Sequence, residues 1–313
     1  MTANKLFFGT MKFVWLKLLF NLVLGIALTL WVALCLLIIT NVNSGLLILI
    51  IAIVGIGGGI SIYRFAKSYI GYLIKAGHVA VIAEAAVTGV IPANQFEYGK
   101  AKVKSRFVAS NVYYLIDGLV TGAVKQLQRI IGKVGDFLGE IPGVGVVVAL
   151  LQVFVSMALG YVDECCLGYT FNKPGESAFK TSADGVVIYF QNWKALLKTA
   201  LKATVIFVIL VVIVTAILFF PIYGLLGGSG NDIAVGVALL ISLTLTISFK
   251  QAFIDSYLMI VMMEKYIQLS KTTVITFDLY GKLSNMSKKF KELFDKGQQE
   301  QPTVAPVQPQ IQV

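Results

Sequence analysis

The chain has 313 residues, 57% of them hydrophobic and only 13% charged, with a net charge of +10. Soluble globular domains carry about 45–50% apolar and about 25% charged residues, so a water-soluble chain of this composition would expose more hydrocarbon than it could cover. Nucleic acid is not an expected partner either, because the Lys and Arg residues lie beside apolar runs and not on an independent basic module.

In chain order, Lys5, Lys12 and Lys17 precede a first apolar run from Leu18 to Ile39, long enough to cross a bilayer as a helix. The run is too long for a signal peptide and no small-residue cleavage site follows it, so it is read as a retained helix. Asn41 to Gly45 makes a turn. Gly45 to Tyr63 is a second span, in which Gly55 and Gly59 either allow close helix packing or mark a kink. Ala200 to Tyr223 and Ile233 to Phe249 form a second pair of apolar runs around the flexible loop 224–232.

Charge orients these pairs. Three basic residues precede the first run, ten lie between Arg64 and Lys133, five between Lys173 and Lys202, and eight between Lys250 and Lys296. The loops at 41–45 and 224–232 have none, so by the positive-inside rule both face outside and both termini are cytoplasmic, with the cell membrane the expected location.

The middle of the chain must then begin and end on one side. The apolar stretch Val144 to Phe171 cannot cross once; it is expected to be re-entrant or to lie in the interface unless Ser68 to Ile91 crosses with it. Between them, Ile116, Leu119, Val120, Ala123, Val124, Leu127, Ile130, Ile131, Val134 and Leu138 share one helical face, while Lys125, Arg129 and Lys133 recur along another. That pattern suits a helix on anionic lipid headgroups, or equally a helix packed on the protein's own core.

The expected fold is therefore all-α, a polytopic membrane helix bundle with two helical hairpins plus re-entrant or interfacial amphipathic helices. Its parts are an N-terminal transmembrane hairpin at 1–67, an amphipathic or interfacial region at 68–141, and a re-entrant or partial membrane segment with a cytoplasmic loop at 142–199. A C-terminal transmembrane hairpin at 200–270, a basic cytoplasmic helix at 271–297 and a disordered tail at 298–313 follow.

Enzyme signatures are missing. There is one histidine, His78, and no hydrolase, zinc-protease or nucleotide-loop motif, so neither catalysis nor a cofactor or metal is expected. Cys35 lies in an apolar run, and the adjacent Cys165 and Cys166 form no metal or disulfide pattern. Asp163 and Glu164 lie between apolar stretches, flanked by Tyr161 and Tyr169. Carboxylates beside aromatic faces can hold an organic cation, although an interfacial position explains the same residues. Asp255 poses the same question, with pairing to Lys250 as its structural explanation.

Three stretches resemble the choline transporter-like family over roughly residues 110–296. They are Gly122-Ala123 running into the basic helix to Lys133, Phe179-Lys180-Thr181-Ser182-Ala183 with the later Asn192, and Phe253-Ile254-Asp255 through Met263-Glu264 with Met286-Ser287-Lys288-Lys289. That family has ten membrane helices, against four secure ones here, so a pathway would need a homo-oligomer. The resemblance implies transport of choline or a related small cation, with Tyr161, Asp163, Glu164, Tyr169 and Asp255 as candidate binding residues. The competing expectation is a non-catalytic membrane scaffold or assembly protein that binds anionic lipid or a protein partner.

Overall fold

The computed structural model describes residues 1–106, 110–139, 145–225 and 232–299, and no strand occurs among them. The helices are α1 Ala3–Gly9, α2 Met11–Thr40, α3 Gly45–Ala66, α4 Tyr72–Thr88, α5 Gln95–Arg106, α6 Ser110–Gly139 and α7 Gly145–Leu159. They continue as α8 Val162–Phe171, α9 Ala178–Gln191, α10 Trp193–Leu225, α11 Asp232–Phe249, α12 Asp255–Ser270, α13 Phe277–Met286 and α14 Lys288–Gln299. Two π-helical turns, Lys67–Gly71 and Lys250–Ile254, carry α3 into α4 and α11 into α12 without a break.

The chain divides into two compact units. An apolar unit comprises Met11–Lys75 and Phe207–Ser256; a packed unit comprises Met1–Thr10, Ala76–Ile206 and Tyr257–Val313. Both units are assembled from segments distant in sequence, so they cut across the expected partition. The expected boundary at 67/68, for example, falls at the first π turn, inside a continuous helix.

Three helical stretches are long and apolar enough to cross a membrane: Met11–Thr40, Gly45–Thr88 and Ile241–Ser270, with Ile209–Leu225 a shorter apolar helix. Protein covers 6% of the apolar window of the first, none of the second and half of the third. The first two therefore turn large side chains such as Leu30, Leu37, Ile53 and Ile56 away from the protein. Apolar surface on this scale needs hydrocarbon or another apolar partner around it.

In the apolar unit, α2 and α3 form a hairpin closed by the turn 41–44, where the Asn41 side-chain amide donates to the Leu37 carbonyl at 2.7 Å. Glycines set its closeness. A Cβ at Gly55 would lie 2.9 Å from the Cys35 sulfur, and one at Gly58 would lie 2.6 Å from the Trp31 ring. At Gly59 the corresponding distance is an ordinary 3.4 Å. The Trp31 indole N–H donates to the Gly55 carbonyl at 2.8 Å. Of the two readings of these glycines, the geometry is that of packing, since α3 runs unbroken through them. Here Gly58 supplies a closer approach than Gly59.

The packed unit explains the middle of the chain. The helix from Gly45 to Thr88 has 44 residues, about 66 Å at 1.5 Å per residue and twice a bilayer's hydrocarbon thickness. Its far part, Ala76 to Ala83, is buried in protein, and His78 there lies 2.9 Å from the Thr10 hydroxyl. Residues 144–171 are not one segment. They divide at Gly160 and Tyr161 into α7 and α8, and Ala158, Leu159, Val162, Cys165, Cys166 and Phe171 are buried by the unit's own helices. Protein covers the apolar residues of this stretch over 158–171.

The face of α6 from Ile116 to Leu127 is covered in the same way. Ile116, Leu119, Val120, Ala123, Val124 and Leu127 are each 6% exposed or less, so this face packs on the protein core and is not laid on lipid. α6 and α7 run antiparallel, with Gln128 donating to the Ser156 carbonyl and Gln152 to the Gly132 carbonyl.

The single basic helix expected at 271–297 is two helices, broken where Ser287 turns extended. The Ser287 hydroxyl accepts from the Phe290 N–H at 3.1 Å, an N-cap for α14, and donates to the Gln126 carbonyl oxygen of α6 at 2.7 Å. Phe290 and Leu293 are fully buried. Most of the expected disordered tail, residues 300–313, lies outside the described residues, as does the loop 226–231.

Candidate functional site

The candidate cation residues begin at α8. Tyr161 occupies the N-cap position, and Asp163 and Glu164 stand in the first turn, where the helix dipole favours a negative charge. Glu164 is buried and Asp163 partly so, within the packed unit and on a helix outside the candidate spans. Burial, reinforced by these two carboxylates, pushes the Cys165 and Cys166 thiols well above their usual range. Thiols kept protonated in this way are poor nucleophiles and poor metal ligands.

Tyr161 precedes α8 as its N-cap and Tyr169 stands near the helix's end, eight residues later. The Tyr169 ring already has the Lys173 ammonium over its face, 5.9 Å from the centroid, and Tyr266 packs against it edge-on. Lys173 in turn lies 3.6 Å from Glu176.

Asp255 belongs to the apolar unit, and the other four residues belong to the packed unit. Both of its carboxylate oxygens accept from the Lys250 ammonium, at 2.8 and 3.0 Å. The π turn makes this pair possible. Residues five apart lie on different faces of an α-helix, and a π turn, with its i to i+5 hydrogen bond, brings them together.

Two clusters escape a reading by motif. In the apolar unit the Lys67 ammonium donates to the side-chain carbonyls of Asn21, at 2.7 Å, and Gln251, and lies 5.6 Å from the Phe20 ring centroid and 5.9 Å from that of Tyr63. The available signal was the presence of Asn21 and Lys67 in otherwise apolar runs. In the packed unit, buried Asp184 accepts from Tyr280 of α13 and from Lys180, which also donates to Glu176 at 2.7 Å. The carboxylate pushes the Tyr280 hydroxyl up, after burial has done so more strongly.

The Lys180 hydrogen bond holds Glu176 below the usual carboxylate range, and Glu176 raises Lys180 in return. The carboxylate contribution to stability is present above the ordinary Glu pKa and fades as pH falls through the lowered value. The amine contribution is complete below the ordinary Lys pKa and fades as pH rises through the raised one. A Glu176→Gln variant is therefore expected to lose part of the acid sensitivity of the thermal midpoint, measured by circular dichroism in detergent across that lower window.

Lys125, Arg129 and Lys133 are exposed along α6, on the side away from its buried face. The residues that carry the family resemblance have structural positions. Phe179, Ser182 and Ala183 are buried on α9, and Asn192 ends that helix by donating to the Ile188 carbonyl and to Thr273, both at 2.9 Å. Among the described residues no three His, Cys, Asp or Glu side chains are grouped to hold a metal. Comparison with protein-family models, curated proteins and solved structures finds no match.

Proposed function

We propose that the chain is a polytopic membrane protein that acts as a non-catalytic scaffold, with its helical hairpins in the bilayer and the packed unit presenting a basic surface to anionic lipid or a protein partner. On this reading the turn 41–44 and the loop 224–232 face outside, both termini are cytoplasmic, and the cell membrane is the site. The resemblance to the choline transporter-like family then extends to a pattern of helices and not to a cargo.

The observation that carries this choice over cation transport is the placement of four of the five candidate residues. Asp163 and Glu164 lie on a protein-covered helix outside the candidate spans. Tyr169 has a lysine over its face, and Asp255 is held by Lys250. A cation site requires charge and aromatic faces converging on one point. Uptake of labelled choline by proteoliposomes tests the choice. The expected result is uptake equal to that of empty liposomes. Uptake above that level, and lost in Asp163→Asn or Glu164→Gln, would restore the transporter reading.

A further inference from the structure

The basic residues of the apolar unit are Lys12, Lys17, Arg64, Lys67, Lys75 and Lys250, and Asp255 is the acidic residue at their level; Asp232 lies at the opposite, loop end. Three of the lysines come from different helices and meet on one segment. Lys17 of α2 donates to the Ser256 hydroxyl at 3.0 Å, Lys67 to Gln251, and Lys250 to Asp255. Asp255 is also within electrostatic reach of Lys67. Three ammonium groups thus share residues 250–256 with one carboxylate.

Helix length fixes the level of this cluster. At 1.5 Å per residue, Lys17 and Lys67 lie about 35 Å along their helices from the turn 41–44, and Lys250 about 27 Å from the start of α11. The hydrocarbon core is about 30 Å thick. If the hairpins cross the bilayer, all three lysines reach the headgroup level of the leaflet opposite the tips. Excess positive charge partly withdrawn from water favours a bound anion there. Both π turns occur in this cluster, and π turns recur at functional sites because they displace side chains from the regular helical register.

We propose that this cluster is a phosphate site, occupied by the headgroup of an anionic phospholipid and built by Lys17, Lys67 and Lys250. The site rests on the membrane-spanning reading of the hairpins. It is distinct from the exposed Lys125, Arg129 and Lys133 row, whose charges lie along a single helix.

Native mass spectrometry of the full-length protein in detergent tests it, with short-chain phosphatidylglycerol, phosphatidylcholine or inorganic phosphate added. Phosphatidylglycerol is expected to be retained and phosphatidylcholine not. The Lys67→Gln/Lys250→Gln double variant should weaken retention roughly thirtyfold, while Lys67→Arg/Lys250→Arg keeps both it and the helical circular dichroism. Equal retention of the two lipids, or unchanged retention in the Lys67→Gln/Lys250→Gln protein, would overturn the site. Displacement by inorganic phosphate at equal concentration would overturn the lipid as its source. Alkaline carbonate washing of membranes separates the two readings: an integral protein that binds no phosphatidylglycerol removes only this site, and one that washes out removes the membrane reading with it.

Discussion

Phe290→Ala is expected to cost about 3–5 kcal/mol, the range for emptying a fully buried aromatic position. Phe290 is completely buried, lies 6.3 Å from the Tyr280 ring centroid, and belongs to the first turn of a helix capped by Ser287. α14 is short, and helices of this length hold together through tertiary packing more than through propensity. Loss of the anchor should therefore loosen residues 288–299 as a unit. Thermal unfolding in detergent would show a lowered midpoint, and limited proteolysis would release the C-terminal segment first. The exposed neighbour Lys291 provides the comparison, since Lys291→Ala should stay within about 0.5 kcal/mol. Equal effects at the two positions would mean that α14 is not held by its buried face.

The second large effect is expected at Gly99, where two competing terms can be weighed. Replacing a helical glycine by alanine ordinarily stabilises by up to about 1 kcal/mol. At Gly99, however, a Cβ would lie 2.8 Å from the Gly77 carbonyl oxygen and 2.9 Å from its Cα. These are backbone atoms, which cannot rotate away, so α4 and α5 must separate. Overpacking of this kind costs about 1–3 kcal/mol, and the net expectation for Gly99→Ala is destabilisation. Gly281→Ala, with no atom within 4 Å of the added carbon, should be neutral or stabilising. A Gly99→Ala protein as stable as the parent would show that α4 and α5 yield at this contact.

The sequence made the outer hairpins legible because α2 and α3 are apolar around most of their circumference and bounded by a recognisable turn. The middle was misleading for a physical reason. A helix covered by protein on every side carries the same unbroken apolar run as one covered by lipid. Residues such as Val79, Val162 and Cys165 therefore looked like membrane segments, although they are core residues. Amphipathicity had the complementary ambiguity: the stripe from Ile116 to Leu127 identifies a buried face but not what covers it.

The candidate site was legible only in pairs close in sequence. Lys250 and Asp255 were named together, although the π turn that joins them is not encoded by any spacing rule. Lys67, Asn21 and Gln251 meet across gaps of 46 and 184 residues, and Asp184 meets Tyr280 across 96. One sequence without such contacts in view gives each of these residues only as an isolated polar side chain.

The position of α14 also sets an order of events during synthesis. Its Gly297 packs on the backbone of Lys180, while Ser287 and Lys289 reach Gln126 of α6. The core around α6 and α9 thus lacks one wall until Gly297 has left the ribosome. The α2–α3 hairpin needs nothing beyond residue 66 for its Trp31–Gly55 and Cys35–Gly55 contacts. The hairpin can close early, whereas closure of the packed unit waits for α14. In that interval the face destined for Phe290 and Leu293 is open to solvent and to other nascent chains, which makes it the stage at which chaperone cover matters most.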